Sequence, residues 1–418
     1  MKPIIYRCLI VILLAIPIFS CVKKGGSEKT TVRFLNRPDN GGGWKELIER
    51  FEKKHPDIDI DLVEGPDSTN IRENMYSTSF LAGESTYDLA FMDIIWVSKF
   101  AQAGWIEPLD NRFTLKMQKE FLPGDIAGSI YNGNIYRVPM RTDAGMLYYR
   151  KDILKQAGLS PPETWDEFVD IALKLQSPPD VWGFVFQGKQ YEGLICNFLE
   201  LVWGAGGDIL DEKGIVRIDG PEAISALQWM SDILNRYKIC PPGVTTYQEE
   251  ESRHIFHEGR AIFMRNWPYA WTLSQKDGSP IQGKIGIIPM VHKKGGKSAA
   301  TLGGWGFGIS RFSKNKEAAW KFIRFATGYE GQKILHFKNG AIPTRHKLFK
   351  DKDILAESPY YPDLYKVLLT ARPRPSHPRY SQISDILQVY VSKAIVGQET
   401  PDIALKEAAK EIRRLINR

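Results

Sequence analysis

Five short stretches set aromatic residues or charged groups beside glycine, proline or one another in segments that read as loops, and they carry most of the chemistry available to this chain. They are Phe91-Met92-Asp93, Thr142-Asp143-Ala144-Gly145, Asn266-Trp267-Pro268-Tyr269-Ala270-Trp271, Gly303-Gly304-Trp305-Gly306-Phe307-Gly308 and Arg372-Pro373-Arg374-Pro375. Flat aromatic rings cover apolar C–H faces, while carboxylates, Arg and Asn exchange paired hydrogen bonds with hydroxyl groups. A pyranose presents both an apolar face and a polar rim, so the combination points to a sugar. Each hydrogen bond to a charged group contributes about 1.5–3 kcal/mol. Two or three of them with one stacked ring reach the ~8 kcal/mol of a micromolar site. The glycines beside Trp305 let backbone approach a ligand closely. The competing reading makes the tryptophans core or interface residues and makes Asp143 the cap of a polar turn over 142–145, between an extended segment ending at Val138-Pro139 and a strand over Met146–Tyr149.

Other chemistries lack their residues. Gly296-Lys297-Ser298 resembles the end of a phosphate loop, but Val291 stands where its first glycine belongs. His257-Glu258 lacks the second histidine of a zinc-protease helix, because position 261 is Ala. Gly303 to Gly308 miss the dinucleotide spacing, and no Gly-x-Ser-x-Gly elbow occurs. The net charge is +7 and the basic residues are scattered, which argues against nucleic acid as a partner.

The elements that position these stretches follow from periodicity. Lys2 and Arg7 precede an apolar run from Leu9 to Phe19 that is too short to span a bilayer and fits a signal-peptide core. Ile18-Phe19-Ser20-Cys21 resembles a bacterial lipobox, which makes Cys21 the lipidation site and residues 21–29 a polar tether. Thr31–Asn36 reads as a strand and Trp44, Leu47, Ile48 and Phe51 as a helix face. Ile58, Ile60 and Leu62 alternate as a second strand, so the chain opens with a right-handed βαβ unit. Thr164-Trp165-Asp166-Glu167 is a capping box, and Pro221 fits a first helical position. Of the four cysteines, Cys196 and Cys240 read equally as one disulfide or as two buried thiols. The length accommodates two or three domains.

In their order and spacing, several stretches resemble the family-1 extracellular solute-binding proteins, the ligand-capturing lipoproteins of ABC sugar importers. They are Tyr87 to Asp93, Ala103 to Leu109, Val138 to Arg150, Pro162 to Phe168, Arg265 to Pro268, Gly303 to Gly306 and Gly340 to Pro343. The trehalose/maltose-binding branch is the most similar, over nearly all of the chain after the leader. The resemblance implies an α/β fold of two lobes, the type II periplasmic-binding-protein architecture, with the ligand in a cleft closed by a hinge. One lobe would hold residues 30–141 and about 285–335, the other 142–284 and about 336–418. It implies that Asp93, Asp143 and Arg374 hold sugar hydroxyls, that Trp267, Tyr269 and Trp305 supply stacking faces, and that Gly304 offers its backbone. Arg72 is a further polar contact, and Asp39 or Asn40 brings a polar group from the N-terminal loop. It also implies a binding protein without catalysis, partnered by permease subunits; a monomer without cofactor or metal, anchored outside the cytoplasm through Cys21, is the further expectation. Two alternatives stand beside it. One is a secreted carbohydrate-active enzyme using Asp93 and Asp143 as acid and nucleophile, which requires carboxylates about 5 Å or about 6.5–9.5 Å apart. The other is the same fold around an osmolyte, peptide or polyamine, although an arginine in the cleft opposes a cation.

Overall fold

Apolar alternation makes Thr30–Asn36 and Ile58–Glu64 strands, and the amphipathic helix Gly43–Lys54 carries the chain between them, so the two strands pair in parallel. The computed structural model describes residues 29–66, 69–211 and 213–417. Its larger sheet runs, in spatial order, Ile342–Pro343, Val138–Ala144, Ala300–Ile309, Leu89–Asp93, Thr30–Asn36 and Ile58–Glu64, with Ala371–Arg372 beside the start of Ala300–Ile309. A second sheet runs Ile285–Ile288, Met146–Arg150, Ala261–Asn266 and Trp182–Val185. The leader and Cys21 lie outside the described residues. Among those residues no helix is long and apolar enough to cross a membrane.

Each sheet has its own core. Under the larger one, Phe34, Trp44, Phe91, Phe307 and Phe322 interlock, with Phe34 and Phe307 edge to face at 5.4 Å. The second sheet packs against the buried helix Glu192–Gly204 and the C-terminal helices Tyr380–Ile395 and Pro401–Ile416. A third apolar cluster joins Tyr148, Met264 and Ile287 to Leu302 and to Tyr361 and Leu364 of the helix Tyr361–Leu369, so it touches strands of both sheets. The capping box at Thr164 and Glu167 forms, and Pro221 opens its helix. Cys196 and Cys240 are free buried thiols.

One expectation is corrected. Residues 142–144 are not a turn: the strand Val138–Ala144 runs through them, and only Gly145 separates it from Met146–Arg150. Ile285–Ile288 pairs with Met146–Arg150 in the second sheet, and the chain re-enters the larger sheet at Ala300, later than residue 285. Ile342–Pro343 pairs with Val138–Ala144 in the larger sheet. Alternation identifies a half-buried strand but says nothing about which sheet receives it.

A solute cleft between two sheets

The larger sheet lays Asp93, Trp305 and Arg141 abreast. Trp305 is opposite Asp93 on one neighbouring strand and opposite Arg141 on the other, and Gly303 is opposite Asp143. In Val138–Ala144 the partly exposed Arg141 and Asp143 alternate with buried Met140, Thr142 and Ala144, so both polar groups leave the same face. Arg141 Nη1 donates to Asp143 Oδ2 at 2.6 Å. Gly304 takes φ +130°, a conformation closed to most side chains, where the ladder shifts register between Trp305 and Gly306. Burial holds the Asp143 carboxyl above its ordinary range; Arg141 opposes this and Asp93 adds to it.

Beneath this row sits a fully buried pair, Asp125 and Arg137, 3.6 Å apart. Arg137 Nη1 donates to the Gly304 carbonyl at 3.2 Å and so fixes the strained peptide. Neither carboxylate oxygen of Asp125 accepts a hydrogen bond among the described residues. Burial raises its pKa to about 7, against the pull of Arg137. A folded pKa above the unfolded value contributes stability that is complete below about pH 4 and is lost as pH rises toward 7. Asp125→Asn removes that dependence. Its Tm relative to wild type therefore climbs by about 2–4 °C or more between pH 5 and pH 8. A difference independent of pH, measured by calorimetric melting, would exclude the titration of Asp125.

The opposite wall comes from the second sheet and its helices. Trp267 follows directly on the strand Ala261–Asn266, and its indole Nε1 lies 3.4 Å from Glu249 Oε1. The Arg265 guanidinium covers one face of its ring at 4.2 Å. Tyr269, at the rim, donates to Glu250 at 2.7 Å. Glu192 and Glu249 each occupy the first position of a helix, where the macrodipole favours a carboxylate. Arg374 ties the walls together. Its Nη1 donates to Glu192 Oε1 at 2.9 Å, its Nη2 is 3.5 Å from Asp93 Oδ1, and the residue is only 9% exposed. Glu192 also accepts from the Tyr380 and Ser384 hydroxyls.

These groups enclose a cavity of about 460 Å³, within the range of small-molecule sites. Arg72, Asp93, Asp143, Trp267, Tyr269, Gly304, Trp305 and Arg374 all line it. Two expectations shift. Asp39 and Asn40 are not in the lining. The Asp39 carboxylate instead accepts from the Lys45 backbone N–H and from Asn339 Nδ2, while Asn40 is exposed. Trp305 is 6% exposed and packs against Phe91 and Trp96, with the Arg72 guanidinium 4.8 Å over its ring, so it forms the floor and not an open stacking face. Trp271, in the same sequence cluster as Trp267, stacks on Tyr360 outside the cavity.

Sequence reasoning missed Asn36, Arg37, Arg141, Tyr191, Glu192, Glu249 and Asn339. Arg141 was accessible, since it stands two residues before Asp143 and shares its strand face. Tyr191-Glu192-Gly193 is another aromatic, acid and glycine group of the kind already singled out. Asn339 has no local signal, because it reaches the cavity only through the packing of its helix end against the Gly41–Gly43 loop.

The chain is similar to known proteins over most of its length. Residues 36–333 match the model of the bacterial extracellular solute-binding protein family. A "Probable ABC transporter-binding protein" of Deinococcus radiodurans is 36% identical over 369 residues, covering 86% of this chain and 87% of that one. The solved structure of maltose-bound MalE3 from T. maritima is 44% identical, with a TM-score of 0.80 over 93% of this chain and 99% of its own. A solute-binding protein of Thermotoga lettingae bound with alpha-D-tagatose is 28% identical, with a TM-score of 0.77 over 92% and 99%. This chain belongs to the bacterial extracellular solute-binding protein family, and it is a binding protein rather than an enzyme.

Proposed function

We propose that the protein captures a neutral sugar, a disaccharide such as maltose or trehalose, in this cleft and delivers it to the permease of an ABC importer. The observation that carries the reading is the charge balance of a cavity that also presents an open aromatic face. Its lining holds four guanidinium groups, of Arg37, Arg72, Arg141 and Arg374, and four carboxylates, of Asp93, Asp143, Glu192 and Glu249. Arg141 is paired with Asp143, and Arg374 with Glu192 and Asp93. A charged ligand would have to break such pairs, whereas hydroxyl groups insert among them as both donors and acceptors. Trp267, partly exposed and in the cavity lining, supplies the stack, with Tyr269 beside it. The sugar-bound structures of similar proteins favour the same ligand class. The sequence from Leu9 to Cys21 supports anchoring of the mature chain at the outer side of a membrane through acylated Cys21.

A thermal-shift screen tests the ligand class. Maltose or trehalose at about 100 times its Kd stabilises the fold by about 2.7 kcal/mol and raises Tm. Uronates, amino sugars, amino acids and spermidine leave it unchanged. A shift produced only by a charged solute would overturn the assignment.

A further inference from the structure

Behind the sugar-facing wall lies a second fully buried ion pair that none of the site residues touches through a ligand. Arg265 Nε and Nη2 bind Glu200 Oε2 and Oε1 at 2.9 and 2.5 Å, and both side chains are completely buried. Gln187 Oε1 accepts from Arg265 Nη1 at 3.2 Å and is itself held by Asn197. The pair contacts three functional places at once. Glu200 Oε1 accepts the Thr301 backbone N–H at 3.0 Å, at the point where the chain re-enters the larger sheet. Gly145, the single residue between the two sheets on the other crossing, donates to the Thr301 carbonyl at 3.1 Å. A Cβ on Gly145 would lie 1.9 Å from Glu200 Oε1 and 2.2 Å from Arg265 Nη2. The glycine is therefore required by the closeness of the ion pair and not by a turn. Finally, the flat guanidinium backs the Trp267 ring at 4.2 Å.

We propose that the Glu200–Arg265 pair is a positioning element that locks the Trp267 stacking face to two of the interlobe crossings, so that the aromatic wall and this part of the hinge move as one body. The pair never reaches the ligand. It orients Trp267 by a cation–π contact that a planar, delocalised cation makes well and an ammonium makes poorly. This inference rests on the reading of Trp267 as the sugar's stacking surface.

Removing one partner strands a buried charge, so the test replaces both: Glu200→Leu with Arg265→Met, an exchange that buried pairs often tolerate without loss of stability. Maltose affinity is expected to fall about tenfold in this double variant. Adding Trp267→Ala should then cost much less than it does in the wild-type background, because the stack is already lost. Full additivity, or an unchanged affinity, overturns the proposal. If the double variant does not fold, Arg265→Lys keeps the charge but not the flat face, and the same cycle applies with the same two outcomes. Should the wild type bind no sugar of the panel, the functional reading fails separately. The inference is then decided without ligand by solvent exchange of the Trp267 indole N–H, assigned by its disappearance in Trp267→Ala. Exchange about tenfold faster in the double variant supports it, and equal exchange overturns it.

Discussion

Asp143→Ala lowers sugar affinity by about 100-fold and leaves the melting temperature nearly unchanged. The carboxylate faces the cavity from an otherwise buried strand, with Arg141 holding one of its oxygens. A carboxylate accepting two hydrogen bonds from sugar hydroxyls at about 1.5 kcal/mol each accounts for about 3 kcal/mol, or two powers of ten. Stability is spared because burial already disfavours the charged form of Asp143. The same shift predicts a pH effect. Affinity declines on acidification from a pH above the ordinary carboxylate range, as the acceptor becomes protonated, and Asp143→Ala abolishes that decline. Calorimetric titration across pH, alongside melting curves, measures both. Asp39→Ala is the matched control, since Asp39 caps the loop before the first helix outside the cavity lining. An affinity unaltered by Asp143→Ala would return Asp143 to a purely structural place in its strand.

Arg374→Ala has the second large effect, and unlike the first it costs both binding and stability. The guanidinium joins Asp93 on one wall to Glu192 on the other. Truncating one partner of a buried, hydrogen-bonded charge pair costs about 2–5 kcal/mol, most of it the penalty of leaving the other charge unpaired. Here two carboxylates lose their partner, although Glu192 keeps its two hydroxyl donors. Affinity is expected to fall by at least about 30-fold, the lower end of that range, and Tm to drop by several degrees. Arg374→Lys should not restore either, because one ammonium cannot reproduce a fork that spans Asp93 and Glu192. Full recovery in the lysine variant would show that charge alone, and not the bridge, is what the cleft requires.

The contrast between Asp143 and Arg374 shows what the sequence made legible. Residue chemistry was readable in part: of the ten candidate positions eight converge on one cavity, and among them Trp267, Tyr269, Gly304, Trp305 and Arg374 are marked by an adjacent glycine or proline, whereas Arg72 came from the resemblance alone. The two-lobe architecture followed from the resemblance, and the alternation of elements gave only an α/β domain at the start of the chain. Long-range placement was not readable. Asp39 and Asn40 sit in a glycine loop that looks suited to a ligand, yet the first helix takes the Asp39 carboxylate for its unpaired N–H groups. Trp305 looks like a stacking ring beside flexible glycines, yet its strand is buried throughout and Arg72 lies over it. Gly145 reads as a turn glycine, but the cause is an ion pair built from residues 200 and 265, more than fifty positions away. No local pattern carries such information, because it resides in which elements the tertiary fold brings together.

The central claim is that this cleft holds one neutral sugar, and calorimetric titration with trehalose, maltose, sucrose and glucose tests it most directly. The account predicts one-to-one binding of a disaccharide with a micromolar or lower Kd. Absence of heat across these sugars, while a charged solute binds in the same cleft, would contradict it.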